Sequence, residues 1–90
     1  MGTTMNLTKE IEKVFAGPQK ITDEEQDMLL DCLQFMRDDI ENGMPAEVVN
    51  AWSFKIQGII EFLYSVGRIE EAQYDRIRDI LKEIAGENYE

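Results

Sequence analysis

The sequence predicts an all-α protein, a small antiparallel up-down helical bundle made of three long helices and a shorter N-terminal helix. Apolar residues recur at helical spacing along most of the 90 residues, and they do not alternate with polar residues as in a strand. Glycine and proline interrupt this pattern near residues 17, 43 and 67, which leaves short connections and favours antiparallel neighbours. The helices are expected at about residues 6–16, 23–42, 45–66 and 70–85 of one helical domain spanning residues 1–90.

The first two helices have clear boundaries. The first carries an apolar face made of Leu7, Ile11, Val14 and Phe15, and it ends at Gly17 and Pro18, since glycine caps helices and proline cannot continue them. The second begins after Thr22, and Glu25 follows three residues later as in a capping box. Acidic residues in the first turn also suit the positive end of the helix dipole. Asn42-Gly43 ends this helix.

The third helix is apolar on almost every side. Pro45 suits its first turn, and its main apolar face consists of Val48, Val49, Trp52, Ile56, Ile59, Ile60, Leu63 and Val66. Ala51, Gly58 and Phe62 line one flank, and Phe54 points nearly opposite the main face. A helix with this composition is usually buried. We therefore expect either that it is the central helix of the bundle or that a partner covers part of it.

The fourth helix has one apolar face and one charged face. Tyr74, Ile77, Ile80, Leu81 and Ile84 share the apolar face. Acidic and basic residues alternate over the remaining surface, which indicates a solvated face with local ion pairs. Gly86 ends the helix, and residues 87–90 are expected to form a frayed tail.

The composition argues against catalysis and against a bound cofactor or metal. The chain has no histidine, which removes imidazole zinc ligands and Ser-His or Cys-His nucleophile pairs. Its one cysteine, Cys32, lies on an apolar helix face, where a thiol usually acts as a small hydrophobic group. The six glycines are scattered and form no phosphate-binding loop. We expect a protein that is not an enzyme, has no cofactor and binds no metal.

The chain also lacks the marks of a membrane or secreted protein. No apolar run approaches the roughly 18 residues of a membrane span. The N-terminal residues do not resemble a secretory signal peptide. These features favour a cytoplasmic location without membrane contact.

An acidic stripe on the second helix is the one chemically distinctive surface. It comprises Asp23, Glu24, Asp27, Asp31, Asp38 and Glu41, whose spacing places them on one side of a helix. The whole chain has a formal charge of −10, and residues 21–43 contribute most of it, with eight acids and Arg37 as the single base. A stripe of this kind can simply keep a small protein soluble. It can also bind a basic partner.

The partner hypothesis favours a basic protein that binds nucleic acid. Duplex DNA is a dense line of negative charge that attracts lysine and arginine, and a rigid acidic helix can occupy the same basic groove. In size, charge and lack of catalytic residues the chain is similar to DNA-mimic inhibitors of phages and mobile elements, such as anti-CRISPR proteins. The same charge argues against direct binding to nucleic acid.

A structural or regulatory subunit is the alternative function. Phe54 lies across the third helix from its main apolar face, and Met28 and Phe35 lie on the flank of the second helix. These side chains either pack on neighbouring helices or form an exposed patch. If Phe54 stays exposed, the third helix would dock a partner or form a homodimer.

Overall fold

The computed structural model describes residues 6–17 and 21–86, and in these ranges the chain forms four α-helices and no β-strand. The helices are α1 (Leu7–Val14), α2 (Asp23–Glu41), α3 (Ala46–Ser65) and α4 (Glu71–Gly86). The predicted all-α fold class is confirmed. The first helix ends two residues earlier than predicted, and the other three begin and end within one residue of the prediction. The predictions for Pro18 and for residues 87–90 lie outside the described residues.

Side-chain caps fix the starts of the first two helices. The Thr22 hydroxyl accepts a hydrogen bond from the backbone N–H of Glu25 at 3.1 Å, and the Glu25 carboxylate accepts one from the N–H of Thr22 at 2.9 Å. This is the predicted capping box. Asn6 caps α1 by accepting a hydrogen bond from the Lys9 N–H at 3.1 Å, so it precedes the helix into which the sequence pattern placed it.

Two glycines reverse the chain after the long helices. Gly43 follows α2 with a φ of 74°, and Gly67 follows α3 with a φ of 78°. Both values lie in the left-handed region that glycine adopts without steric cost. The connections that they make are short, which keeps consecutive helices adjacent.

The helices run up and down and share one apolar core. Tyr64 near the end of α3 stacks on Tyr74 near the start of α4, and Arg76 of α4 pairs with Glu10 of α1. The core consists of side chains from all four helices and from the connections: Leu7, Ile11, Phe15, Ile21, Leu29, Cys32, Leu33, Met36, Val49, Ile56, Ile60, Leu63, Ile69, Ile77, Ile80, Leu81 and Ile84. No buried polar side chain occurs among the described residues.

The central helix is α2, so of the two alternatives expected for the third helix, a central position is not found, and cover by a partner stays a prediction. Within the described ranges α2 packs closely against α1, α3 and α4, whereas α3 packs closely against α2 and α4 and its backbone stays away from α1. The physical reason is that only one side of α3 is needed to close the core. Much of the apolar surface of α3 is therefore left outside the bundle.

The short first helix is docked on the bundle. Its apolar side chains Leu7 and Ile11 are buried. Arg76 of α4 also contacts α1, because its guanidinium donates a hydrogen bond to the Glu10 carboxylate at 2.6 Å. The Gln73 amide donates a hydrogen bond to the carbonyl oxygen of Val14, in the last turn of α1, at 3.1 Å.

No helix in the described ranges is long and apolar enough to cross a membrane.

Candidate protein-interaction surfaces

The acidic stripe is exposed along the whole of α2. All six of its side chains lie at the surface: Asp23, Glu24, Asp27, Asp31, Asp38 and Glu41. The helix has 19 residues. At about 1.5 Å per residue, the stripe extends roughly 27 Å from its first to its last carboxylate. The helix is continuous over this length, so the spacing between the charges is fixed by the backbone.

Other carboxylates of α2 are used inside the fold. The Glu25 carboxylate accepts hydrogen bonds from the Thr22 backbone and from the Arg68 guanidinium. The Asp39 carboxylate accepts the indole N–H of Trp52 at 2.8 Å. Three ion pairs formed by described residues, Lys13–Glu10, Arg68–Glu25 and Arg76–Glu10, do not include the stripe. The acids with a structural task and the acids of the stripe thus occupy different sides of α2.

A groove of about 390 Å³ separates the stripe from α3. Its floor is apolar, and within it the rings of Phe35 and Trp52 stack with centroids 5.6 Å apart. The ammonium group of Lys55 lies 5.2 Å from the centroid of Trp52, close enough for a cation–π interaction. Three stripe carboxylates, Glu24, Asp27 and Asp31, also line the groove. Acidic and apolar surfaces are therefore continuous on this side of the protein.

Cys32 lies at the base of this groove and is 5% exposed. Burial raises the pKa of the Cys32 thiol above its usual value, and this outweighs the opposing effect of Lys55. The thiol is therefore protonated at neutral pH and packs as an apolar group. Across residues 6–17 and 21–86, no group of three or more carboxylate or cysteine side chains is placed to hold a metal ion.

The second candidate surface is the helix-three face, which consists of Ala51, Phe54, Gly58, Phe62 and Ser65. All five residues are exposed, and Phe54 and Phe62 are 70% and 62% exposed. Single exposed apolar residues are common in proteins, but two phenylalanines on one face of one helix are not explained by packing among the described residues. This face points away from the core that α3 shares with α2 and α4.

The two flanks of the helix-three face carry charges of opposite sign. On the α2 side lie the carboxylates of the groove, including Asp27 and Asp31. On the α4 side, Arg78 and Lys82 line a second depression together with Ser53 and Gln57 of α3. Both basic side chains are exposed. Lys55 also lines the α2 side, so the face lies between an edge of three carboxylates with one ammonium group and an edge that carries Arg78 and Lys82.

Phe62 was absent from the residues that the sequence pattern selected for partner binding. Helical spacing places Phe62 on the same flank as Ala51 and Gly58. The sequence does not indicate that this flank lies outside the bundle, because that depends on how the helices pack. Met28 and Phe35, for which the sequence allowed either packing on neighbouring helices or an exposed patch, are 42% and 52% exposed and line the groove.

Comparison of the chain with protein-family models, with curated proteins and with solved structures found no match.

Proposed function

We propose that the protein is a non-catalytic protein-interaction module and that its acidic stripe binds a basic protein. The most specific form of the proposal is an inhibitor or adaptor that occupies the nucleic-acid groove of its partner, as DNA-mimic and anti-CRISPR proteins do. The observation that carries it is the exposure of all six stripe carboxylates on one side of a single continuous helix.

The energetics of α2 support a task for the stripe. Asp27 and Asp31 are four residues apart, and like charges at this spacing destabilise a helix by a few tenths of a kcal/mol. A helix selected only for stability would place bases between them. The exposed surface of α4 has this arrangement, with Arg78 and Lys82 among its acids. The contrast between two helices of one chain favours selection for negative charge on α2.

The length and rigidity of the stripe fit the proposed partner. Duplex DNA carries one negative charge per about 1.7 Å of axis, and its binding proteins match it with rows of lysine and arginine. A helix with carboxylates over roughly 27 Å offers such a row a similar, if sparser, line of charge. Binding should be strongest at low salt, because mobile ions screen exposed charges.

Charge reversal on one face tests the proposal. The triple variant Asp27→Lys, Asp31→Lys, Asp38→Lys removes the central charge of the stripe. The matched control is Asp75→Lys, Asp79→Lys, Glu83→Lys on α4, which gives the same net charge and alters only exposed residues. Each variant is mixed with purified basic nucleic-acid-binding proteins over a salt series, and complexes are detected by light scattering.

The two variants give distinct outcomes. Under the proposal, the stripe variant loses salt-sensitive binding while it remains helical, and the α4 variant still binds. Equal loss in both would mean that net charge alone drives the association. Unchanged binding of the stripe variant would rule out the stripe as the binding surface.

A second candidate function is a structural or regulatory subunit that associates through α3. The exposure of Phe54 and Phe62 favours it. In this case Phe54→Asp disrupts the assembly, charge reversal on α2 has little effect, and association persists at high salt because burial of apolar surface drives it.

A further inference from the structure

We propose that the helix-three face binds a second copy of this chain and forms a two-fold symmetric dimer in which the two α3 helices lie parallel. The proposal deepens the second candidate function. It uses Asp27 and Asp31 of the stripe only to set the orientation of the two copies, and it does not require the stripe to bind a basic protein. Four features carry it: an unexplained glycine, the arrangement of side chains around it, the apolar area, and the opposite charges of the two flanks.

Gly58 lies in the interior of α3, where glycine is less favourable than alanine. No described residue of the chain requires it, because a Cβ atom added at this position would meet no atom of residues 6–17 and 21–86 within 4 Å. A glycine on an exposed helix surface permits another backbone to approach closely. The contact that would explain Gly58 is therefore with another molecule.

The residues around Gly58 form complementary knobs and holes. Phe54 and Phe62 lie four residues before and after it, and Ala51 and Ser65 lie seven residues before and after it. When two copies cross at Gly58, each phenylalanine of one copy enters a depression that small side chains leave on the other. Small residues at helix crossings and large side chains beside them are the general arrangement of closely packed helix pairs.

The two exposed phenylalanines supply part of the apolar area that a small symmetric interface needs. A buried phenylalanine removes roughly 200 Å² from water, so Phe54 and Phe62 at 70% and 62% exposure would bury about 260 Å² per copy. This is about a third of the roughly 800 Å² that each partner contributes to a standard interface. The neighbouring residues along the 20-residue helix supply further surface.

The charged flanks select a second copy and its orientation. In a dimer with parallel α3 helices, the two-fold axis brings the acidic flank of each copy towards the basic flank of the other. Asp27 and Asp31 of one copy then face Arg78 and Lys82 of its partner. In an antiparallel dimer the two acidic flanks lie on the same side and repel. This difference favours the parallel arrangement over the antiparallel one.

The first experiment measures the mass of the full chain by sedimentation equilibrium over a range of protein concentrations. The wild type should be a dimer. Gly58→Leu and Phe54→Asp should be folded monomers, because the first blocks the close approach and the second places charge in the interface. The controls, Ala72→Leu and Met44→Asp, alter exposed residues outside the helix-three face and should leave the dimer intact.

The second experiment determines the orientation by cross-linking. In a Cys32→Ala background, Ala51→Cys should cross-link to itself through a short bis-maleimide. In an antiparallel dimer the two copies of position 51 would be about 21 Å apart along the axis, and a cross-link would form only in a mixture of Ala51→Cys with Ser65→Cys. The parallel model predicts that Ser65→Cys also cross-links to itself and that the mixed 51–65 product is absent.

Three results would overturn the proposal: a monomeric wild type at every concentration, a dimer that Gly58→Leu leaves intact, or a cross-link between positions 51 and 65 only. The readout is the self-association of the chain, whereas the stripe proposal is read from binding to a basic protein. Failure of either proposal therefore leaves the other to be judged on its own measurement.

Discussion

Two neighbouring aspartates of α2 show how strongly the environment of a single residue decides its role. Asp38 belongs to the exposed stripe, whereas the next residue, Asp39, is half-buried and accepts the indole N–H of Trp52 at 2.8 Å. One residue corresponds to about 100° of rotation around a helix, which is enough to move a side chain from the solvent to the contact with α3. The same residue type therefore serves packing in one position and surface charge in the next.

This difference predicts unequal effects of two similar substitutions. Asp39→Ala should lower the free energy of unfolding by about 1–2 kcal/mol, because it removes a hydrogen bond to a charged acceptor and leaves the Trp52 N–H without this partner. Asp38→Ala should change it by no more than about 0.5 kcal/mol, as exposed substitutions usually do. Urea unfolding followed by circular dichroism measures both. Equal effects of the two variants would contradict the assigned role of the Asp39–Trp52 contact.

At the scale of the element, α1 shows how a short helix is held. Eight residues are too few to form a stable helix alone, so its stability comes from packing of Leu7 and Ile11 and from contacts with α4. The ion pair between Glu10 and Arg76 is the most specific of these contacts. The hydrogen bond from Arg76 lowers the pKa of the Glu10 carboxyl, and the same contact raises the pKa of Arg76.

The lowered pKa of Glu10 predicts a pH-dependent contribution to stability. The folded state favours the ionised carboxylate, so the contribution is complete above the pKa of the unfolded chain and is lost as the pH falls through the lower, folded pKa. The difference in unfolding free energy between wild type and Glu10→Gln should therefore be largest at neutral pH and shrink on acidification. Glu12→Gln, on the exposed side of α1, controls for the loss of one carboxylate. A difference that stays constant at acidic pH would contradict this assignment.

The elements also show what periodicity reveals and what it leaves out. Local chemistry determines where a helix begins, so Thr22 and Glu25 were sufficient to predict the start of α2. Which helix is central depends on how the helices pair, and this information is spread over the whole chain. The nearly all-round apolar character of α3 was compatible with two arrangements, a buried helix or a helix with an exposed apolar face. The packing of α1 against α2 and α4 selects the second.

At the scale of the whole molecule, the charge is distributed unevenly around a conventional core. Spacing along the sequence was sufficient to place the six stripe residues on one side of α2, and all six are exposed. Spacing could not reveal the groove between the stripe and α3, because Trp52 and Lys55 reach it from a different helix. It also could not reveal the opposite charges beside the helix-three face, which depend on the positions of α2 and α4 relative to α3.

The concentration of charge on α2 predicts that salt stabilises this protein. Raising the ionic strength from about 0.01 M to 0.15 M shortens the Debye length from roughly 30 Å to 8 Å, which weakens repulsion between the exposed carboxylates. Several pairs at three- and four-residue spacing each contribute a few tenths of a kcal/mol, so the free energy of unfolding should rise by on the order of 1 kcal/mol. Urea unfolding at both ionic strengths measures this change, since urea adds no charge.

The charge-reversed variants locate the source of the salt effect. Three changes of an acidic residue to lysine alter the net charge by six, from −10 to −4, whichever helix carries them. If repulsion within the stripe dominates, the α2 variant should lose most of the salt dependence and the α4 variant should keep it, although their net charges are equal. Equal salt dependence in the two variants would show that the repulsion is spread over the whole surface. In that case the stripe would carry no special energetic cost, and the stability argument for its selection would fail.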